Sequence, residues 1–230
     1  MGDILINLRN VEKKYIGKYV ETTVFTNLSI EINKGDFVSI SGRSGGGKTT
    51  LLNIIGMLDF DFNGSMTFNG EDVRTFSENR YQQFRNREIG FIFQDFKLIP
   101  EMTVFENIEV PIAFSSKVHI KKKKKKHIDQ LLIDFGLFDK KNALPYELSG
   151  GQKQRVAIVR ALVNEPSIII ADEPTGNLDK ESSELIMKLL TELNEKKGIT
   201  IVLVTHDEEI RSYARKMHTL ESLCSVTTKP

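Results

Sequence analysis

The residues Gly42, Arg43, Ser44, Gly45, Gly46, Gly47, Lys48 and Thr49 keep the spacing G-x-x-x-x-G-K-[ST], a pattern suited to gripping phosphate. Glycines there let backbone N–H groups turn inward around phosphate oxygens, and a helix that follows adds its positive end. Lys48 would reach the β- and γ-phosphates of a nucleotide, while the Thr49 hydroxyl would be offered to Mg²⁺. Thr50, next in line, is grouped with the same turn. The plain alternative is a flexible glycine loop. Against it, residues 37–40 read as a strand entering the loop and 49–58 as a helix leaving it, the context the pattern requires.

A second piece lies where Ser167, Ile168, Ile169, Ile170 and Ala171 lead into Asp172 and Glu173. An apolar strand ending in carboxylates places them at the carboxyl edge of a sheet, where open α/β sheets bind ligands. Asp172 would hold Mg²⁺, and Glu173 would polarise an attacking water. Many strands end in a charged turn, so this piece gains its meaning from the glycine loop. Together the two define a nucleotide hydrolase or kinase. Leu148, Ser149, Gly150, Gly151 and Gln152 narrow the choice, because Ser-Gly-Gly at a helix start is a second phosphate-binding surface. One ATP seldom needs two such loops from one chain, so this loop is expected to serve the ATP of a neighbour.

The elements that must position these groups alternate in kind. Short β-rich runs at 4–8, 24–32 and 36–40 are separated by polar turns, Asn33-Lys34-Gly35-Asp36 among them. Asn69-Gly70 marks a hairpin between 66–68 and 72–73. From about 79 to 165, Tyr81, Phe84, Ile128, Leu131, Leu132 and Phe135 recur at helical spacing, with Gly136 as a stop. That stretch reads as a helical insertion within a core formed by about 4–78 and 166–216. Residues 182–197 form an amphipathic helix, ended by Gly198, between buried strands at 167–171 and 199–204. This order predicts an α/β fold with a parallel sheet covered on both faces.

Composition sets outer bounds. Apolar residues make up 40% and charged residues 27% of 230, with a net charge of +1, so nothing demands a nucleic-acid or membrane-surface partner. The one cysteine, Cys224, excludes an intrachain disulfide and fits a reducing cytosol. No apolar run approaches the roughly 18 to 20 residues that span a bilayer. Residues 1–10 lack a basic stretch followed by an apolar core, so no signal peptide is expected and the cytoplasm is. Residues 121–126 are all lysine. A solvated loop or first helical turn is the expected reading, ahead of an anionic-lipid or nucleic-acid contact, because the near-neutral whole supplies no wider basic field.

The pentapeptide at 148–152, set between the glycine loop and Asp172-Glu173, resembles the signature of ABC-transporter ATPases, and the likeness covers about 4–215. The resemblance implies a P-loop NTPase fold, with an N-terminal antiparallel β subdomain and an inserted helical subdomain. It implies ATP and Mg²⁺ as cofactors, a permease in the membrane as partner, and a second copy paired head to tail. Two ATP molecules would then lie between one phosphate loop and the other copy's Ser149-Gly150-Gly151. Gln94, in Phe91-Ile92-Phe93-Gln94, would sense Mg²⁺ and contact the membrane half. Asp179, closing Gly176-Asn177-Leu178-Asp179, would cross the dimer, and His206 would be the switch histidine near the γ-phosphate. Tyr15 would stack on adenine, with Tyr19 as its rival.

The segments 89–107 and 171–179 are similar to the branch serving lipoprotein-releasing, macrolide-exporting and antimicrobial-peptide-resistance transporters. That implies an exporter or a lipid or peptide extractor at the inner face of a bacterial membrane. Departures exist: Gly46 stands where Ser is frequent, and Thr49-Thr50 where Ser-Thr is usual. After 211–216 the family has a strand and a glycine hairpin, yet 217–223 contains no glycine, and 221–230 has no assigned place. A soluble ABC-type ATPase of DNA repair or translation is the competing reading, but such members carry long coiled-coil insertions or a second cassette, and this chain has neither. No nucleic-acid partner is expected. A small-metabolite kinase would leave the signature loop, Gln94 and His206 unexplained.

Overall fold

Where strands are half-buried they alternate, and where they are buried on both faces they run apolar throughout; both kinds occur in this chain. The computed structural model describes residues 3–17, 21–115 and 118–224, with the backbone alone for 118–122. Tyr19 and residues 225–230 lie outside the described residues.

In chain order the elements are β1 (Ile4–Ile16), β2 (Glu21–Asn33), β3 (Phe37–Ser41), α1 (Lys48–Ile55), β4 (Asn63–Phe68) and β5 (Glu71–Asp72). Then come α2 (Glu78–Glu88), β6 (Ile89–Phe93), α3 (Val104–Ala113), α4 (Val118–Asp134), α5 (Gly150–Leu162) and β7 (Ile168–Asp172). The chain continues through α6 (Lys180–Lys197), β8 (Thr200–Val204), α7 (Glu208–Arg211), β9 (Lys216–Thr219) and α8 (Leu220–Leu223). One sheet is antiparallel, in the order β2-β1-β4-β5, and the other runs β6-β7-β8-β3-β9, with every pairing in it parallel. In β2, Leu28, Ile30 and Ile32 are buried while Glu31 faces out, as a one-sided sheet requires. The parallel strands β3, β7 and β8 are buried almost end to end.

The parallel sheet separates two apolar clusters. On one face, α1 inserts Leu51, Leu52, Ile54 and Ile55 against Val38, Ile40 and the inner face of the antiparallel sheet. On the other, Val156 and Val159 of α5 and Ile186 and Leu190 of α6 pack against Ile169, Ala171, Ile201 and Leu203, with α3 and α4 outside them. At roughly 25 cal/mol per Å² of apolar surface removed from water, each fully buried aliphatic side chain here stabilises the fold by about 1.5 to 3 kcal/mol before entropy is counted.

The parallel α/β core with an added antiparallel sheet is as expected, but the expected boundaries need correction. Residues 79–165 are not wholly an insertion, because β6 within them pairs with β7 from Ile89↔Ile168 to Phe93↔Asp172. An apolar run as short as Ile89–Phe93 fits a buried strand or a helical turn equally well, and its partner lies far along the chain. The core also extends past 216. β9 pairs in parallel with β3, and in place of a glycine hairpin Thr219 caps the short α8, through a capping box with Ser222. Leu220 and Leu223 are buried, so the first residues of the segment 221–230 do have a place.

Candidate functional site

Sheet register brings the chemistry together. Ile40 of β3 is level with Val204 of β8, Val204 with Asp172 of β7, and Asp172 with Phe93 of β6. One row therefore crosses the carboxyl edge of four parallel strands. Beyond that row the chain continues as the glycine loop, His206, Glu173 and Gln94, each within a few residues of its strand end. This is the edge at which open parallel sheets bind ligands.

The glycine loop turns into α1 through Gly47, whose φ of 100° lies in the left-handed region. A Cβ there would stand 2.3 Å from Val24 Cγ1, so sterics and backbone both demand glycine. Lys48, Thr49 and Thr50 form the first turn of α1, and the first helical bond runs from the Leu51 N–H to the Gly47 carbonyl at 2.9 Å. The N–H groups of those leading residues are the free donors of a helix start, a ready anion site. Lys48 Nζ is held over the loop, donating to the carbonyls of Gly42 (2.9 Å) and Arg43 (3.0 Å). The Gly46 N–H donates to Arg43 at 3.1 Å and tightens the loop, while Arg43, Ser44 and Gly45 are exposed along its rim.

Asp172 accepts a hydrogen bond from the Thr49 hydroxyl at 3.1 Å. Burial pushes its carboxyl up, and the adjacent Glu173 charge adds to that, against the hydrogen bond from Thr49 and the charge of Lys48. A carboxylate so placed gains from an arriving cation. Glu173 has a φ of 46°, uncommon for a non-glycine residue, and its N–H is anchored on the Val204 carbonyl at 2.9 Å. Its carboxylate accepts from His206 Nδ1 at 2.8 Å, Glu173 being 15% exposed and His206 75%. The hydrogen bond that His206 donates to Glu173, then the Glu173 charge, hold the His206 pKa above 6.5. Gln94 is tied to Asn177, whose Nδ2 donates to the Gln94 carbonyl at 3.0 Å while Gln94 Nε2 reaches Asn177 Oδ1 at 3.5 Å. Thr49, Asp172, Gln94 and Asn177 share the lining of one cavity of about 400 Å³. Among the described residues no cluster of three or more His, Cys, Asp or Glu is disposed to hold a metal unaided. A hydroxyl, a carboxylate and an amide oxygen suit Mg²⁺, which completes its shell with water and phosphate.

Tyr15 lies at the end of β1 with its hydroxyl 3.4 Å from Thr50 Oγ1, so the structure joins it to the loop. Ser149, Gly150, Gly151 and Gln152 are elsewhere. Ser149 caps α5 and accepts from the Gln152 N–H, while Gln152 Oε1 accepts from the Ser149 N–H at 2.9 Å. A Cβ on Gly151 would come within 2.9 Å of Ser182 Oγ. Asp179 caps α6 in the same neighbourhood, accepting from the Ser182 N–H at 2.8 Å, and that bond holds its pKa low. Among the described residues no hydrogen bond joins 149–152 or Asp179 to the glycine loop. Sequence alone gives no reason to single out Asn177, whose part in holding Gln94 appears only when both strand ends meet; its sole signal is its place in Gly176-Asn177-Leu178-Asp179.

The profile of the family described as "ABC transporter" matches residues 25–176. The lipoprotein-releasing system ATP-binding protein of Francisella tularensis is 43% identical over 220 residues, covering 96% of this chain and 95% of that protein. The macrolide export ATP-binding/permease protein of Syntrophobacter fumaroxidans is 42% identical over 93% of this chain, which spans 30% of that longer protein. A solved dimeric ATP-binding cassette, in a post-hydrolysis state with ADP and Pi, superposes with a TM-score of 0.85 at 39% identity, covering 94% of each chain. No described helix is long and apolar enough to cross a membrane. The chain belongs to the ABC transporter family, as an ATP-binding and ATP-hydrolysing cassette.

Proposed function

We propose that the cassette works as a head-to-tail dimer closed by two ATP molecules, each held by the phosphate loop of one copy and the Ser149-Gly150-Gly151 loop of the other. One observation carries this reading: two glycine-bearing helix starts are present, and among the described residues the first is hydrogen-bonded through Thr49 to Asp172, which precedes the Glu173–His206 pair, while the second, at Ser149, is held in its own capping box. The dimeric state of the solved cassette with ADP and Pi supports it.

In this reading the Lys48 ammonium leaves its loop carbonyls for the β- and γ-phosphates, and the leading N–H groups of α1 bind the phosphate oxygens. Thr49, Asp172 and Gln94 hold Mg²⁺, which when bound offsets phosphate charge. Glu173 accepts a proton from the attacking water, and His206 orients that carboxylate and reaches the γ-phosphate. Tyr15 stacks on adenine, and Asp179 crosses to the partner. Catalysis is then mainly positioning and electrostatic stabilisation.

A permease in a bacterial membrane is the proposed load, with the cassette at its inner face. Its docking surface is the groove of about 740 Å³ lined by Arg85, Asn86, Phe91, Pro111 and Phe114. The groove shares Phe91, Phe93 and Lys97 with the cavity that contains Gln94 and Asp172, so a docked segment would press on the catalytic edge. An exporter or lipid or peptide extractor fits the named relatives. The test of the shared site is Ser149→Arg: ATP binding by the isolated subunit stays near normal while hydrolysis stops, and mixing with Lys48→Ala restores part of it. Full hydrolysis by Ser149→Arg alone would overturn the shared site.

A further inference from the structure

Lys13 is the anomaly outside the phosphate-binding edge. It is a cation on β1 that is 2% exposed. An ammonium has three donors, and oxygens meet all of them: the Asp59 carboxylate at 3.0 Å, the Asp61 carbonyl at 2.6 Å and the Asp61 carboxylate at 3.3 Å. Burial works to lower its pKa, and the hydrogen bonds and charges of Asp59 and Asp61 outweigh that and leave it raised. A buried ion pair seldom stabilises a fold more than well-packed apolar groups of the same size, so stability alone gives little reason for a charge here.

Position gives a better one. The register of β1 against β2 shifts between Lys13 and Lys14, and Lys13 Nζ lies 4.7 Å from the centroid of the Tyr15 ring two residues on. Asp59 and Asp61 sit in the connection that leaves the far end of α1 toward β4, held by the Asp61 N–H donating to Asp59 at 3.0 Å. The Tyr15 hydroxyl meets Thr50 in the first turn of α1. The ring is thus fixed by its own strand, by a cation on its face and by a hydroxyl contact at the phosphate loop, with Tyr15 still 48% exposed.

We propose that Lys13 is a positioning residue for the nucleotide base: pinned by Asp59 and Asp61, its ammonium sets the plane and distance of the Tyr15 ring relative to the phosphate-binding turn of α1. The inference rests on the reading of Tyr15 as the adenine platform. Lys13 itself touches no phosphate. Its effect is on ligands that carry a base, and it acts only through Tyr15.

The experiment is calorimetric binding of ADP and of pyrophosphate, the base-free counterpart, to the wild-type protein, Lys13→Met, Lys13→Arg, Tyr15→Ala and the Lys13→Met/Tyr15→Ala double variant. Lys13→Met weakens ADP by about fivefold, the scale of a partly desolvated cation–aromatic contact, and leaves pyrophosphate unchanged. Lys13→Arg keeps a cation and stays near wild type. Tyr15→Ala also weakens ADP selectively, and adding Lys13→Met to it costs nothing more. Should Lys13→Met fold poorly, Asp61→Ala serves instead, since that side chain is 94% exposed; it loosens one anchor and weakens ADP alone by about twofold. Equal losses for ADP and pyrophosphate, or a full Lys13 effect persisting in Tyr15→Ala, would make Lys13 a structural pin and overturn the inference. A Tyr15→Ala protein with an unchanged preference for ADP over pyrophosphate overturns the adenine platform itself, and the inference with it.

Discussion

Replacing Glu173 by glutamine exchanges one carboxylate oxygen for an amide in a side chain that is 15% exposed. Size is kept, and so is the left-handed backbone with its anchor on Val204 at 2.9 Å. What disappears is the proposed proton acceptor and one negative charge. Loss of a general base costs roughly 10² to 10⁴ in rate, or about 3 to 5.5 kcal/mol of transition-state stabilisation. Ground-state binding moves the other way. Neutralising Glu173 removes a charge that helps to raise the Asp172 pKa, and relief of repulsion near a triphosphate at a semi-exposed edge is worth on the order of 1 kcal/mol. The ATP-closed dimer therefore forms as readily as before and reopens about 10² to 10⁴ times more slowly. Light scattering of Glu173→Gln should give the dimer mass with ATP and the monomer mass with ADP. A monomer in both, with ATP demonstrably bound, refutes the reasoning.

Lys48→Ala removes the cation proposed to meet the γ-phosphate, and hydrolysis should fall at least about 100-fold. Its contacts are to loop carbonyls at a half-buried site, so unfolding by denaturant should shift by no more than about 1 kcal/mol. Gly47→Ala puts a Cβ where 2.3 Å separates it from Val24 Cγ1 and forces a left-handed alanine. Strain and overpacking together cost about 2 to 4 kcal/mol, which a thermal melt should register as a fall of about 5 to 15 °C. His206 should titrate above 6.5 by NMR and fall back in Glu173→Gln, because its hydrogen bond to Glu173 is the leading cause of the shift. A raised folded pKa means the pair's contribution is complete below 6.5 and fades as pH climbs through the folded midpoint; His206 is largely exposed, so the effect on stability should be small. A titration unchanged by Glu173→Gln would dissociate the pair.

What sequence determined by itself were the groups whose chemistry depends on local order. Gly42 to Thr49 is a contiguous turn whose N–H groups and cation act within one strand–helix joint, so spacing alone specified it. Ser149 and Gln152 likewise form a local capping box, and Asp172-Glu173 ends an apolar strand. Strand type at 168–171 and 201–204 was legible because isoleucine- and valine-rich runs of that length, the second opened by Gly198, fit a sheet covered on both faces. Tertiary structure decided the rest. Register alone made Phe93, Asp172 and Val204 neighbours, and with them the Glu173–His206 and Gln94–Asn177 pairs. β6 moved out of the helical stretch into the sheet for the same reason: pairing energy depends on a partner strand that local pattern does not reveal. Lys13 shows the effect most plainly. In sequence it is an unremarked charge on a strand, and its burial, its aspartates and its place against Tyr15 exist only because the connection after α1 folds back onto β1. Long-range contacts of this kind have no period and no fixed spacing, so only the folded chain displays them.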